Sequence, residues 1–475
     1  MNKLLLPILV LSLVVGSCDV TSLNQNEKGA EQVPSEPIFT NAQVNLGKHL
    51  HDNSVNLGIY NLMAQYMATT DYEQEPRYQL DNRTIPSNVW EDLYRDVLAD
   101  FNEAATLIKE DEFMADGVRQ NQLASIEVLE VLTYYVLVTT FGDIPFTELD
   151  FGEDTQPAYD DDQMVYTSIM DSLDRAIGQF NTGAEGFSAS ADVFYDGDIQ
   201  SWITFANSLK LRMGITVAEG ALADLGRTAV EEAAPNVMTS NEDNAMIPYQ
   251  SVSPHSNPLW EELVEGGRDD YIPSNTLVDR MNELEDPRRP IFMTTTGGDY
   301  IGGIFGNQNV YANFSHFSET IEQRDRPGTI MEYAEVEFIL AEAVERGYIS
   351  GDAEEHYENA IRADMEFWGV SDGEIDDYLA QPEVAYATAS GDYKEKIGAQ
   401  KWFALFLQGF EGWTEYRRLG YPELQAHPEA VVDQVPLRYT YPIDEQNFNN
   451  TNYSEAAESI GGDELLTPLF WTIEY

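Results

Sequence analysis

Cysteine is nearly absent: the 475-residue chain holds only Cys18, so no intrachain disulfide can form and a cysteine-rich zinc site is excluded. Lysine is scarce too, with 8 Lys and 18 Arg against 83 Asp plus Glu and a formal net charge of −57. So few cations displace few counterions from a phosphate backbone, which excludes nucleic acid as a partner. Past the first seventeen residues no run reaches the ~18 consecutive apolar positions of a membrane helix. The six histidines (49, 51, 255, 316, 356 and 427) form one close pair, His49-x-His51, and no HExxH motif, which argues against zinc. There is no G-x-S-x-G elbow for a serine triad.

What the chain does have is enough apolar and aromatic residues, 43% and 11%, to bury a substantial core. Length allows one large domain or up to roughly three. The acids are spread along the whole sequence rather than gathered in a tail. Such a uniformly acidic, lysine-poor surface resembles proteins of salt-adapted organisms, where ionic strength screens self-repulsion.

The start, MNKLLLPILVLSLVVGSC, places one Lys before an apolar stretch and then small residues. This is the pattern of a secretory signal over residues 1–17, too short to span a membrane stably. Val15-Gly16-Ser17-Cys18 resembles a lipoprotein cleavage box, so Cys18 is expected to carry lipid, with acyl chains adding ~0.8 kcal/mol per buried methylene. Residues 18–40 follow as a polar, Pro-containing tether, and residues 41–475 form one domain.

The domain's periodicity is helical. Apolar residues from Val89 to Glu110 recur at helix spacing, with Ser87 or Asn88 as N-cap. A more apolar helix covers 122–141 and stops at Gly142-Asp143-Ile144-Pro145; others are predicted near 162–180, 200–220, 330–347, 352–368 and 392–409. A bulky residue repeatedly stands three before a small one (Phe101/Ala104, Leu173/Ala176, Tyr357/Ala360). Ala341 and Ala353 extend the last pair to tetratricopeptide-like offsets, although Glu337 stands where an aromatic is expected. The pattern favours an array of helical hairpins over a compact bundle.

Between about 238 and 328 the periodicity disappears into Pro, Gly, Asn and aromatics. Trp260, Tyr271, Tyr300, Phe305, Tyr311 and Phe314 stand there beside amides and acids, a composition suited to carbohydrate or peptide recognition. A second irregular stretch, 66–90, carries Tyr72, Arg77, Tyr78 and Arg83, and an Arg fork can hold vicinal hydroxyls or a carboxylate. The expected ligand site is shared by these two stretches, with Tyr72, Arg77, Tyr78, Arg83, Trp260, Tyr271, Tyr300 and Tyr311 as candidates.

Catalysis is not expected. Glu411 and Glu415 lie one helical turn apart near Arg417 and Arg418, where an ion-pair network accounts for them more simply than a glycosidase pair. Asp160-Asp161-Asp162, Asp269-Asp270 and Asp376-Asp377 offer hard oxygen ligands. They lack calcium-loop spacing, so solvated helix starts are the expectation, with a calcium site as the alternative. No other cofactor is implied.

Several segments carry a resemblance spanning nearly the whole domain: TYYVLVTTFGDIPFTE (133–148), DPRRPIF (286–292), EVEFILAEAVERGY (335–348), QKWFALFLQGFEGWTEYRRLGYPEL (400–424), VPLRYTYPIDEQNFNNTNY (435–453) and TPLFW (467–471). Together with Cys18 they resemble the SusD/RagB nutrient-binding outer-membrane lipoproteins, in the second SusD-like subfamily. The resemblance implies an all-α fold: a right-handed array of tetratricopeptide-like hairpins supporting a loop-rich lobe. It also implies a surface-exposed lipoprotein lying over a SusC-like TonB-dependent transporter, delivering oligosaccharides or, in the RagB branch, peptides. A protein-only helical scaffold is the remaining alternative. No binding residue is carried over by motif.

Overall fold

The computed structural model describes residues 34–51, 59–149, 151, 156–252 and 255–473. The signal segment, Cys18 and the tether up to residue 33 lie outside the described residues. The rest of the expected tether is not a tether: a helix begins at Ser35 and runs to His51, burying Phe39, Ala42 and Leu46. Its apolar positions recur every three or four residues, so this stretch joins the core.

Helical hairpins form the scaffold. The long helix Asp116–Phe141 packs against Asp162–Gln179, Ile199–Thr216 against Ala223–Ala233, and Tyr333–Glu345 against Ala353–Phe367. Tyr393–Ala404 is followed by Gly409–Leu419, which packs on it. The bulky and small residues that suggested hairpins are buried at the contacts, among them Phe101, Ala104, Leu173, Ala176, Tyr357 and Ala360. In one pair the approach is closest: a Cβ on Gly226 would meet the Gly214 carbonyl oxygen at 2.4 Å, so only glycine fits. Glu337, at the position expected to be aromatic, is buried and held by His356 (2.6 Å) and the Tyr333 hydroxyl (2.7 Å). A tetratricopeptide-like hairpin array is therefore the observed architecture.

The helix expected from Val89 begins earlier, at Ile85, because Pro86 sits in its first turn with φ already fixed for a helix. Ser87 and Asn88 are thus helical residues rather than caps. The helix continues through a π-helical stretch, Asp92–Leu98, into Ala99–Glu110. The 116–141 helix stops as expected at Gly142, whose φ of 89° a side chain would strain.

The 238–328 lobe is less irregular than its sequence. Strand β2 (Ala245–Ile247) pairs antiparallel with β4 (Gly328–Met331) at its neck. Strand β1 (Met67–Thr69) pairs antiparallel with β3 (Tyr271–Pro273), Thr69 opposite Tyr271. A helix, Asn275–Glu283, starts at Ser274, whose hydroxyl accepts the Leu277 N–H (3.1 Å). The β1–β3 ladder brings the 66–90 stretch against the lobe.

Beneath both lies a buried ion-pair network. Arg418 donates to both Glu342 oxygens (2.6 and 2.7 Å) and to Glu415 (2.6 Å). Lys401 meets Glu415 at 3.1 Å, and Arg212 joins Glu335 (2.8 Å) to Glu411 (3.1 Å). Glu411 and Glu415 are thus structural. Arg417 departs from the expectation: it stacks between Trp413 (3.5 Å) and Trp471 (4.6 Å) and donates to the carbonyls of Thr139 and Leu437. The DPRRPIF motif is likewise a core clasp, with buried Arg288 held by Asp286 and Asp364.

Candidate functional site

The seam between the 66–90 stretch and the lobe is built from the β1–β3 ladder outward. Just past β1, Thr70 N–H donates to the Asp270 carbonyl (3.0 Å), and the Thr69 hydroxyl donates to the Tyr72 carbonyl (2.9 Å), turning the chain back on itself. This turn sets the partly buried Tyr72 ring between two guanidiniums, Arg83 at 4.3 Å and Arg268 at 5.9 Å from its centroid. Arg268 also donates to the Tyr72 hydroxyl (3.1 Å), and it is braced by Glu262 (2.9 Å) and Asp270. Arg83 is braced by fully buried Glu75 at 2.5 Å. Burial raises the Glu75 carboxyl, and Arg83 works against that rise. Cation–π clasps of this kind contribute about 0.5–1 kcal/mol at exposed sites.

Asn309 fastens the lobe loop to this turn. Its buried amide donates to the carbonyls of Thr69 (2.9 Å), Ile304 (3.0 Å) and Asn307 (2.9 Å), and its oxygen accepts the Ile304 N–H (2.9 Å). Gly306 at the loop's tip has φ 77° and would place a Cβ 2.5 Å from His427 Cβ. Arg77 donates to the Gly306 carbonyl (2.8 Å) and pairs with Glu73 and Glu429, so it holds the loop rather than offering a free fork. Ile304 and Val310, at the two ends of this ridge, are exposed.

Two more partly buried rings stand on the lobe. Trp260 lies under Arg324 (4.4 Å), whose Nε donates to Ser256 (2.9 Å), and its helical turn is capped by Asn257. Tyr311 stacks on His316 at 3.7 Å. Burial and the nearby carboxylates of Asp269 and Glu322 hold the Tyr311 phenol above its ordinary range, so acid groups border this ring as well. The seam and the lobe therefore carry flat apolar rings beside guanidinium donors and carboxylate acceptors.

Of the eight ligand candidates, Tyr72 and Arg83 form the seam clasp, Arg77 supports the loop beside it, and Trp260 and Tyr311 are partly buried on the lobe. Tyr78 and Tyr271 do not present rings to a ligand. Both are buried, Tyr78 beside Phe305 with its hydroxyl accepting from Gln65 (3.2 Å), and Tyr271 within β3. Tyr271 is enclosed as part of the β1–β3 ladder, and Tyr78 is covered by Phe305 from the lobe, a tertiary effect in both cases. Tyr300, under Arg289 at 5.4 Å, lines a separate open cleft of about 670 Å³ between residues 285–290 and 374–383. A second cleft, about 500 Å³, lies on the other side of the ridge against Asn275, Arg280, Phe305 and His427. Sequence reasoning missed Arg268 and Asn309. Arg268 follows Gly266-Gly267 within an acidic stretch, and a lone Arg in such a setting was the available signal.

The acid runs resolve differently from one another. Asp270 braces Arg268, and Asp376 pairs with Arg362 (2.6 Å). Asp161 caps the 162–179 helix by accepting the Met164 N–H (2.9 Å), but Asp162 is buried rather than solvated. His49 is held by the Tyr60 hydroxyl (3.2 Å), and His51 bridges the carbonyls of Gly47 and Thr329 (2.7 Å each), so the histidine pair serves the scaffold.

Comparison with known proteins agrees with this architecture. Residues 26–442 match the SusD-like family described as "Starch-binding associating with outer membrane". No curated protein matches the sequence. Among solved structures, one titled a chitin-binding protein superposes with a TM-score of 0.81 at 24% identity, over 93% of this chain and 100% of that one. A SusD-like protein from Bacteroides thetaiotaomicron gives 0.77 at 25% identity, over 93% and 99%. A chitin-binding SusD homolog from Flavobacterium johnsoniae gives 0.77 at 25%, over 92% and 98%. With a hairpin scaffold, a loop-built lobe and a family match across most of its length, this chain belongs to the SusD/RagB family, in its second SusD-like branch.

Proposed function

We propose that the protein is a non-enzymatic, lipid-anchored outer-membrane receptor that captures oligosaccharides on the lobe face and delivers them to a SusC-like TonB-dependent transporter. The observation that carries the reading is the Tyr72 ring clasped by Arg83 and Arg268 at the seam, with Trp260 and Tyr311 partly exposed on the same lobe. The chitin-binding titles of two similar structures and the family's starch-binding description support a glycan as ligand. Cys18 supplies the anchor, and the exposed apolar residues of the ridge, Ile304 and Val310, suit contact with a partner protein.

The test is calorimetric titration of the chain from Asp19 onward with chitin, starch and other oligosaccharides and with peptides, reducing ends being assayed in parallel. Saturable glycan binding without new reducing ends is expected. Peptide binding alone would move the protein to the RagB mode, and released reducing ends would overturn the receptor reading.

A further inference from the structure

Far along the chain from the lobe, three carboxylates converge where the scaffold meets its own C-terminal segment. One oxygen each of Asp143, Asp161 and Asp162 lies within 4.8 Å of the others. They come from the turn closing the 116–141 helix and from the first residues of the 162–179 helix, joined by an Ile144–Asp160 bridge. A cavity of about 180 Å³ opens between them, walled on its far side by Ser459, Ile460, Pro468 and Phe470.

An acidic chain has many carboxylate clusters, but here two of the three members are buried: Asp143 is 4% exposed and Asp162 is 6% exposed. The Asp162 carboxylate has no side-chain donor or ion pair among the described residues; only the backbone N–H of Gln163 faces it. Asp143 accepts the Asp162 N–H (2.9 Å) and the Ser459 hydroxyl. The cation whose charge reaches both, Arg438, is committed elsewhere, to Asp463 (2.7 Å) and the Phe141 carbonyl (2.8 Å). A buried carboxylate beside another requires either a proton or a counter-cation.

We propose that Asp143, Asp161 and Asp162 form a site for a hard divalent cation, calcium or magnesium, which ties the start of the 162–179 helix and the Gly142 turn to the C-terminal segment. The donor set is all oxygen, as such ions require: three carboxylates, the Ser459 hydroxyl, and room in the cavity for water to complete the shell. Asp161, the exposed member, provides the path of entry. The competing account is that the pair shares a proton, since burial and the charges of Asp143 and Asp161 push Asp162 up to about 7.

The experiment uses the chain from Asp19 onward, stripped with chelator and compared with calcium or magnesium at about 1 mM and constant ionic strength. Thermal unfolding should shift upward by about 2 °C or more with one of the two ions. Calorimetric affinity for that ion should fall about tenfold or more in Asp162→Asn and in Asp161→Asn, because each removes one anionic ligand. The exposed Asp377→Asn serves as control and should bind like the wild type. If Asp162→Asn does not fold, Asp161→Asn still decides, because its side chain is at the surface. No shift with either ion, or the same shift and affinity in all variants, would overturn the proposal in favour of a shared proton or of diffuse screening.

Discussion

Two regions of this molecule use the same three residue types, arginine, carboxylate and aromatic ring, toward different ends. In the scaffold, Arg212, Arg418 and Lys401 alternate with Glu335, Glu342, Glu411 and Glu415 in burial, most partners supplied by another helix and Arg418–Glu415 within one. At the seam, Arg83 and Arg268 are one-third and two-fifths exposed, and each is braced on one side by an acid while laying the other against Tyr72. In the buried network each charge faces an opposite one and none is turned to solvent. The seam clasp leaves part of its donors and ring surface toward solvent, which is what recognition needs. Of the segments by which the chain resembles its family, GFEGWTEYRR falls in this network, and FGDIPF and DPRRPIF supply other buried residues such as Phe141 and Arg288, whereas the seam has no such motif.

The contrast can be broken most strongly from the buried side. Arg418→Met removes the guanidinium shared by Glu342 and Glu415, leaving Arg346 alone on the first and Lys401 alone on the second, and should cost about 3–5 kcal/mol in denaturant unfolding. Ligand affinity of the folded fraction should stay unchanged. An affinity loss as large as that of a seam variant would mean that the two regions are coupled.

Acid provides the next handle. Burial alone would raise the Glu342 carboxyl, but the Arg418 and Arg346 guanidiniums outweigh it and bring it down from 4.5 to about 2. A carboxyl depressed in the folded state contributes stability that is present above its unfolded value and lost as pH falls toward the folded one. Roughly 3 kcal/mol should therefore disappear between about pH 5 and 2, and Glu342→Gln should flatten that limb of the stability curve. Seam variants should keep the slope.

At the seam the effects should be smaller and confined to binding. Tyr72→Ala and Trp260→Ala are expected to weaken glycan affinity about tenfold each, while stability changes by no more than about 1 kcal/mol. Arg268→Lys, which keeps the charge but loses the planar fork, should give an intermediate loss. Tyr78→Phe and Tyr271→Phe should leave affinity within about twofold, because those rings are buried in the core. A strong affinity loss in either would return them to the site.

How much of this was legible in the sequence follows the same division. Helix existence, the Gly142 stop and the bulky-small pairs could be read because they are local and periodic, and the structural role of Glu411 and Glu415 followed from their spacing. That the 66–90 stretch and the lobe meet was also anticipated. Which of their rings face outward was not. Tyr72 and Tyr78 are six residues apart in one loop, yet one is clasped at the surface and the other lies in the core. The difference is set by distant partners, Arg268 beside Tyr72 and Phe305 over Tyr78, some two hundred residues away, and no local pattern encodes that meeting. Asn309 escaped for the same reason: its three carbonyl acceptors belong to two segments that only the fold brings together. Arg417 was misassigned as a pairing partner because spacing shows proximity to acids but not the Trp471 ring arriving from the far end of the chain.

That arrival bears on the order in which the protein can assemble. Trp471 and Leu469 are buried in the central core, Arg417 is stacked beneath Trp471, and the Ile473 N–H closes onto the Arg417 carbonyl (3.0 Å). Until the segment carrying Leu469 and Trp471 has been made, the Arg417 charge lacks one of its two rings and the core has an open wall. Closure of the central core is therefore a late step of assembly, set by a segment some fifty residues downstream of the arginine it covers.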